Sequence, residues 1–105
     1  MEAPSTYHWQ LMKEINPEQF EKWSEFGALS NPGQIPDKYR ELIFCGIAYA
    51  LHCKPATINH TMNAMDKYGC TKEEVFSVLC QVLTMAGASA YRDACLNLEE
   101  YLKTK

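Results

Sequence analysis

The sequence predicts an all-α fold, a single-domain helical bundle of about six helices. Three observations predict it. No segment alternates apolar and polar residues with a period of two. Apolar residues recur at helical spacing in most segments. Proline, glycine and asparagine fall at short breaks between those segments. At 105 residues the chain has the size of one domain, 1–105, with a modest core.

The first element is a short helix over Tyr7–Ile15, preceded by a loose start. Asn16-Pro17-Glu18-Gln19 opens a second helix: Asn16 caps, Pro17 fits the first turn, and Gln19 reaches back to the cap. Its apolar stripe is Phe20, Trp23, Phe26 and Leu29, and Asn31-Pro32-Gly33 stops it. Pro36 opens a third helix, reaching about His52, whose stretch Leu42–Leu51 is apolar on all sides. Such a helix belongs in the middle of a bundle or at a subunit interface. Lys54-Pro55 starts a fourth helix that ends at Gly69. Thr71-Lys72-Glu73-Glu74 is a capping box for a fifth helix. Gly87-Ala88-Ser89 interrupts the pattern, and a sixth helix follows with Tyr91, Ala94, Cys95, Leu98, Tyr101 and Leu102 on one side. Every connection is short.

Composition narrows the function. Net charge is -3 with no basic cluster, which argues against nucleic-acid binding and against a polybasic membrane patch. The longest apolar run is too short to span a bilayer. Met1–Trp9 has no basic region followed by an apolar run, so the expected address is the cytoplasm. The five cysteines, Cys45, Cys53, Cys70, Cys80 and Cys95, are odd in number and lack C-x-x-C spacing. Reduced thiols are expected, with no disulfide framework, no metal site and no cofactor motif.

Chemistry concentrates at the junction of the third and fourth helices, Leu51-His52-Cys53-Lys54-Pro55. Cys53 precedes Pro55, so it sits at a helix N-terminus, where the dipole and free N–H groups favour a thiolate. Lys54 adds positive charge. His60 lies seven residues on, about two turns, and faces the same way. Ala56 or Thr57 between them leaves space. Glu41 stands just before the apolar run, and the third helix folds back on the fourth, so Glu41 approaches His60 directly or through a water. Hairpin arithmetic places Gly46, not Glu41, opposite His60, which calls for a kink at Gly46 or a bridging water.

Cys53 is thus the candidate nucleophile, His60 its general base or proton shuttle, and Glu41 the residue that orients His60 or relays a proton. A purely structural alternative stands beside it: a buried thiol, a satisfied core histidine, and Glu41 paired with Lys38 or Arg40 on a surface turn. His52 is a possible accessory acid or ligand, although neighbours in a helix point apart. His8 reads as a surface residue. Met62, Met65 and Met85 read as core or interface filler. Tyr7, Trp9, Phe20, Trp23 and Phe26 read as core, lid or pocket wall.

The stretch from Asn16 to Tyr91 resembles the carboxymuconolactone decarboxylase family, which includes the alkylhydroperoxidase D-like proteins. The resemblance is carried by Asn16-Pro17-Glu18 with its aromatic helix and by Lys38-Tyr39-Arg40-Glu41-Leu42-Ile43. It continues through Cys53 twelve residues after Glu41, His60, and Tyr68-Gly69-Cys70-Thr71-Lys72-Glu73-Glu74-Val75. It implies an all-helical homo-oligomer, a trimer or hexamer, acting on a small-molecule substrate. The peroxidase branch uses Glu, a C-x-x-C pair and His; Glu41, Cys53 and His60 match the Glu, the first Cys and the His. The second, peroxide-attacking Cys position is Ala56, so the usual dithiol cycle is not available. Three functions follow: a one-cysteine peroxidase, a decarboxylase using His60, His52 and Glu41 on a small acid or lactone, or a non-catalytic oligomeric binding module. The family points first to thiol-dependent hydroperoxide reduction.

Overall fold

The computed structural model describes residues 1–105, and all of its regular structure is helical. The helices are α1 (Tyr7–Ile15), α2 (Pro17–Ser30), α3 (Asp37–Ala50), α4 (Lys54–Met62), α5 (Lys72–Ala86) and α6 (Ala88–Leu102). A π-helical turn, Asn63–Lys67, prolongs α4. The all-α expectation and the order of elements hold.

The chain forms two compact units, one of Pro4–Ile35 and one of Met1–Ala3 with Pro36–Lys105. The smaller unit is the pair α1 and α2. Asn16 Oδ1 accepts from the Gln19 backbone N–H with Pro17 in the first turn, as the sequence reading had it, but the Gln19 side chain does not reach back to the cap. Of the readings core, lid or pocket wall, the core one fails for these aromatics: neither helix has a buried residue. Trp9, Trp23 and Phe26 instead stack in a ladder, with centroids 5.3 and 5.7 Å apart. Two short helices have too little facing area to enclose rings of that size.

The larger unit holds the core. Cys45 and Tyr49 of α3, Ala64 of the π turn, Val75, Leu79 and Val82 of α5, and Ala90, Ala94 and Leu98 of α6 form one cluster. α3 packs on α4, α5 and α6. A Cβ on Gly46 would stand 3.4 Å from Val78 Cγ1, so α3 meets α5 at this glycine. Thr71 and Glu74 form the predicted capping box, and Lys38 pairs with Glu74 at 3.1 Å.

The uniformly apolar α3 is buried on one side only. Cys45, Ala48 and Tyr49 point inward, whereas Ile43 and Ile47 are about half exposed, 46% and 53%. These two line an open apolar groove of about 530 Å³ with Leu42, Val78, Val82 and Met85. Met85 lies on this exposed face, not in the core. No helix is long and apolar enough to cross a membrane.

Candidate functional site

The α3–α4 junction is built by a helix-end motif. The His52 N–H donates to the Tyr49 carbonyl, and the Cys53 N–H reaches back to the Ala48 carbonyl. These are the two bonds of a Schellman turn, which needs a left-handed residue at its centre. His52 fills that place with φ of +54°, the one non-glycine residue with positive φ. His52 and Cys53 are not neighbours within a helix, because α3 has already ended at Ala50.

Cys53 is both the last residue of that turn and the N-cap of α4. Its carbonyl accepts from the Thr57 N–H, while its side chain caps nothing. The thiol is half-buried and free, as are all five cysteines in being unpaired.

Glu41 and His60 meet directly: His60 Nδ1 lies 2.9 Å from Glu41 Oε2. No bridging water is needed, and α3 is continuous through Gly46. Hairpin register holds at Cys45, whose Sγ lies 3.7 Å from Thr61 Oγ1. Glu41 is one turn before Cys45 on the same face, and His60 adjoins Thr61. Two long side chains cover the remaining offset of about one turn, ~5 Å.

Glu41 is buried, 6% exposed, yet fully partnered. Its second oxygen, Oε1, faces Arg40 Nη2 at 3.5 Å. Arg40 also binds Asp37 at 2.8 Å and the Tyr68 hydroxyl at 3.4 Å. Its guanidinium lies over the rings of Phe44 and Tyr68, each 5.9 Å away. Phe44 meets the His60 ring edge-on at 5.1 Å. A carboxylate only accepts, so His60 Nδ1 donates to Glu41, and Nε2 has no hydrogen-bond partner. The surface-turn alternative for Glu41 is half right: Arg40 is a partner, but the group is buried and shared with His60.

Other polar groups close the site from beneath. Thr61 bonds the Tyr49 hydroxyl as well as Cys45. Burial raises the Tyr49 hydroxyl and pushes the Cys45 thiol to about 11. Cys45 is therefore an inert packing thiol.

The structure thus joins Glu41 to His60 and places Cys53 at the head of the same helix as His60. His52 turns elsewhere: its Nδ1 lies 3.3 Å from Asp93 Oδ2 of α6. Arg40, Phe44, Tyr68 and Asp93 were not singled out as site residues from sequence. Phe44, three residues after Glu41, shares its face at helical spacing and was legible in principle; Arg40 adjoins Glu41 and entered only as a surface-turn partner. Tyr68 and Asp93 arrive from other elements and carried no signal.

Residues 17–100 match the sequence model of the carboxymuconolactone decarboxylase family. The match starts at α2 and runs almost to the end of α6, so it includes the whole site. No curated protein matches the chain.

Proposed function

The chain belongs to the carboxymuconolactone decarboxylase family, and from that premise we propose that it is a thiol-dependent hydroperoxide reductase working with one cysteine, Cys53. The observation that carries the reading is the direct Glu41–His60 bond on the helix that Cys53 begins. A histidine fixed through Nδ1 by a buried carboxylate is a shaped proton carrier rather than a surface residue.

Along α4, seven residues separate Cys53 from His60, a rise of about 10 Å. His60 therefore serves the leaving oxygen of a bound peroxide, not the sulfur itself. The Cys53 thiolate attacks one peroxide oxygen. The S–O bond forms and the O–O bond breaks. The thiol's proton has left to solvent; His60, protonated at Nε2, gives its proton to the departing alkoxide, and the alcohol leaves. Glu41 stabilises the imidazolium while it holds that proton. Ala56, one turn beyond Cys53, leaves room over this span. The products are an alcohol and a Cys53 sulfenic acid, which an external thiol reduces.

The exposed groove along α3 and α5 supports a homo-oligomer, because contiguous apolar surface of this kind is normally covered. A second reading has its own observation. Arg40 beside Glu41 puts a cation at the Glu41–His60 pair, which suits a small carboxylic acid or lactone and proton-transfer chemistry such as decarboxylation.

The deciding experiment is turnover of hydrogen peroxide and cumene hydroperoxide with dithiothreitol, native chain against Cys53→Ser. Activity in the native chain that vanishes in the variant is expected. Lack of activity in the native chain overturns the peroxidase reading, and turnover of a small unsaturated lactone or β-keto acid would then establish the second.

A further inference from the structure

The Glu41–His60 pair is met from its far side by Arg40, whose guanidinium is divided between two hydrogen-bond partners. Nη1 donates to Asp37 Oδ1 at 2.8 Å, and Nη2 donates to the Tyr68 hydroxyl at 3.4 Å. The same Nη2 stands 3.5 Å from Glu41 Oε1. Asp37 alone would not keep it there. That pair lies within one helical turn and its carboxylate is 60% exposed, and exposed pairs of this kind hold a long side chain weakly. The Tyr68 bond is the part-buried one. The Tyr68 ring adds to it, with its centroid 5.9 Å from the guanidinium carbon.

Tyr68 owes its place to the π turn that prolongs α4. Its N–H bonds the Asn63 carbonyl, five residues back, at 3.1 Å. Gly69 follows directly in the left-handed conformation. A π turn inserts one extra residue into a helix, and such insertions recur at functional sites. Without the extra residue the side chain at this position would be rotated by about 100° around the helix, off the line to Arg40.

We propose that Tyr68 is a positioning residue of the candidate site: it holds Arg40 Nη2 at Glu41 Oε1 and thereby fixes the carboxylate that orients His60. Glu41 is buried and is met at both oxygens, Oε2 by His60 Nδ1 at 2.9 Å and Oε1 by Arg40. The last torsion of a glutamate is soft, so only its partners set the plane of the carboxylate. Met at both ends, that plane is fixed. Tied to His60 alone, it turns, and the imidazole turns with it. The effect on rate rests on the one-cysteine peroxidase reading; the effect on His60 does not.

Tyr68→Phe keeps the ring and removes only the hydroxyl, so its Tm should fall by no more than a few degrees. Two readouts are taken on the full chain. The first is solvent exchange of the His60 Nδ1–H proton, its NMR signal assigned by its loss in His60→Gln. Exchange should be about threefold to tenfold faster in Tyr68→Phe, the worth of one hydrogen bond. The second is turnover of cumene hydroperoxide with dithiothreitol. Here kcat should fall by a similar factor while KM for the peroxide stays within about twofold, the pattern of lost orientation rather than lost binding. Both are repeated in an Arg40→Lys background, which keeps the cation but not the fork. Tyr68 acts through that fork, so Tyr68→Phe should there change neither readout further. Unchanged exchange in Tyr68→Phe, or an equal further change in the Arg40→Lys background, overturns the proposal. A native Nδ1–H that exchanges too fast to be seen also overturns it, because Glu41 then does not hold His60. A native chain without peroxidase activity overturns the peroxidase reading instead, and the exchange rates still decide the role of Tyr68.

Discussion

Two junctions in this chain share one grammar and diverge in purpose. At the first, α3 ends in the left-handed residue His52, followed by Cys53 and the start of α4. At the second, the α4 extension ends in the left-handed residue Gly69, followed by Cys70 and the start of α5. The second junction obeys every rule of stability. Glycine takes the positive φ, Cys70 is buried with its thiol raised by burial, and Thr71 with Glu74 closes a capping box. The first breaks three of them. A histidine takes the strained position, the cysteine stays half-exposed, and no side chain caps the helix. Departures of this kind gather where a site has been built at the expense of stability. On the proposed reading, the same turn serves once as a joint of the fold and once as a platform for chemistry.

The largest expected contrast is in thiol reactivity. Iodoacetamide at neutral pH should label Cys53 in the folded chain and spare Cys70 and Cys45, as read by peptide mass analysis. The Cys45 thiol, at about 11, holds about a hundredfold less thiolate than a thiol at the ordinary 9.0. Labelling of Cys45 or Cys70 ahead of Cys53 would erase the distinction between the junctions.

A backbone exchange is smaller but more pointed. Gly69→Ala should cost about 1 kcal/mol in chemical denaturation. A Cβ there meets nothing within 4 Å, so the cost is conformational alone. His52→Gly should go the other way, stabilising by at most about 1 kcal/mol. A matching loss at both positions would mean that His52 is as structural as Gly69.

The smallest effect is on the acid limb of stability. The Thr71 backbone N–H, then Lys38, hold the Glu74 carboxyl below its usual value of 4.5. A carboxyl depressed in the folded state adds stability above the unfolded value, and loses it as pH falls through the folded one. Glu74→Gln removes that dependence. Native and variant stabilities should therefore converge as pH falls from 4.5 through the lower folded-state value of Glu74, below which the group is protonated in both states. Thr71→Ala, which removes the cap itself, should cost about 1 kcal/mol at neutral pH. A gap between native and Glu74→Gln that persists unchanged into acid would show that the carboxylate's charge plays no part in this junction.

Local chemistry was enough for much of the molecule. The fold class, the helix starts at Asn16-Pro17 and Thr71–Glu74, and the stop at Gly69 were legible because caps and left-handed turns are settled by residues within four positions of each other. The approach of Glu41 to His60 was legible from the folding back of α3 on α4. Tertiary packing decided the rest. Glu41 reaches His60 without a kink because the true offset depends on side-chain length and axis placement, which register arithmetic omits. Arg40 closes on Glu41 while its rings come from α3 and from beyond the π turn. His52 finds Asp93 forty-one residues away only because α6 packs against α4. Partners that distant in the chain meet through burial of apolar faces elsewhere, a non-directional force that leaves no local mark on the residues it brings together.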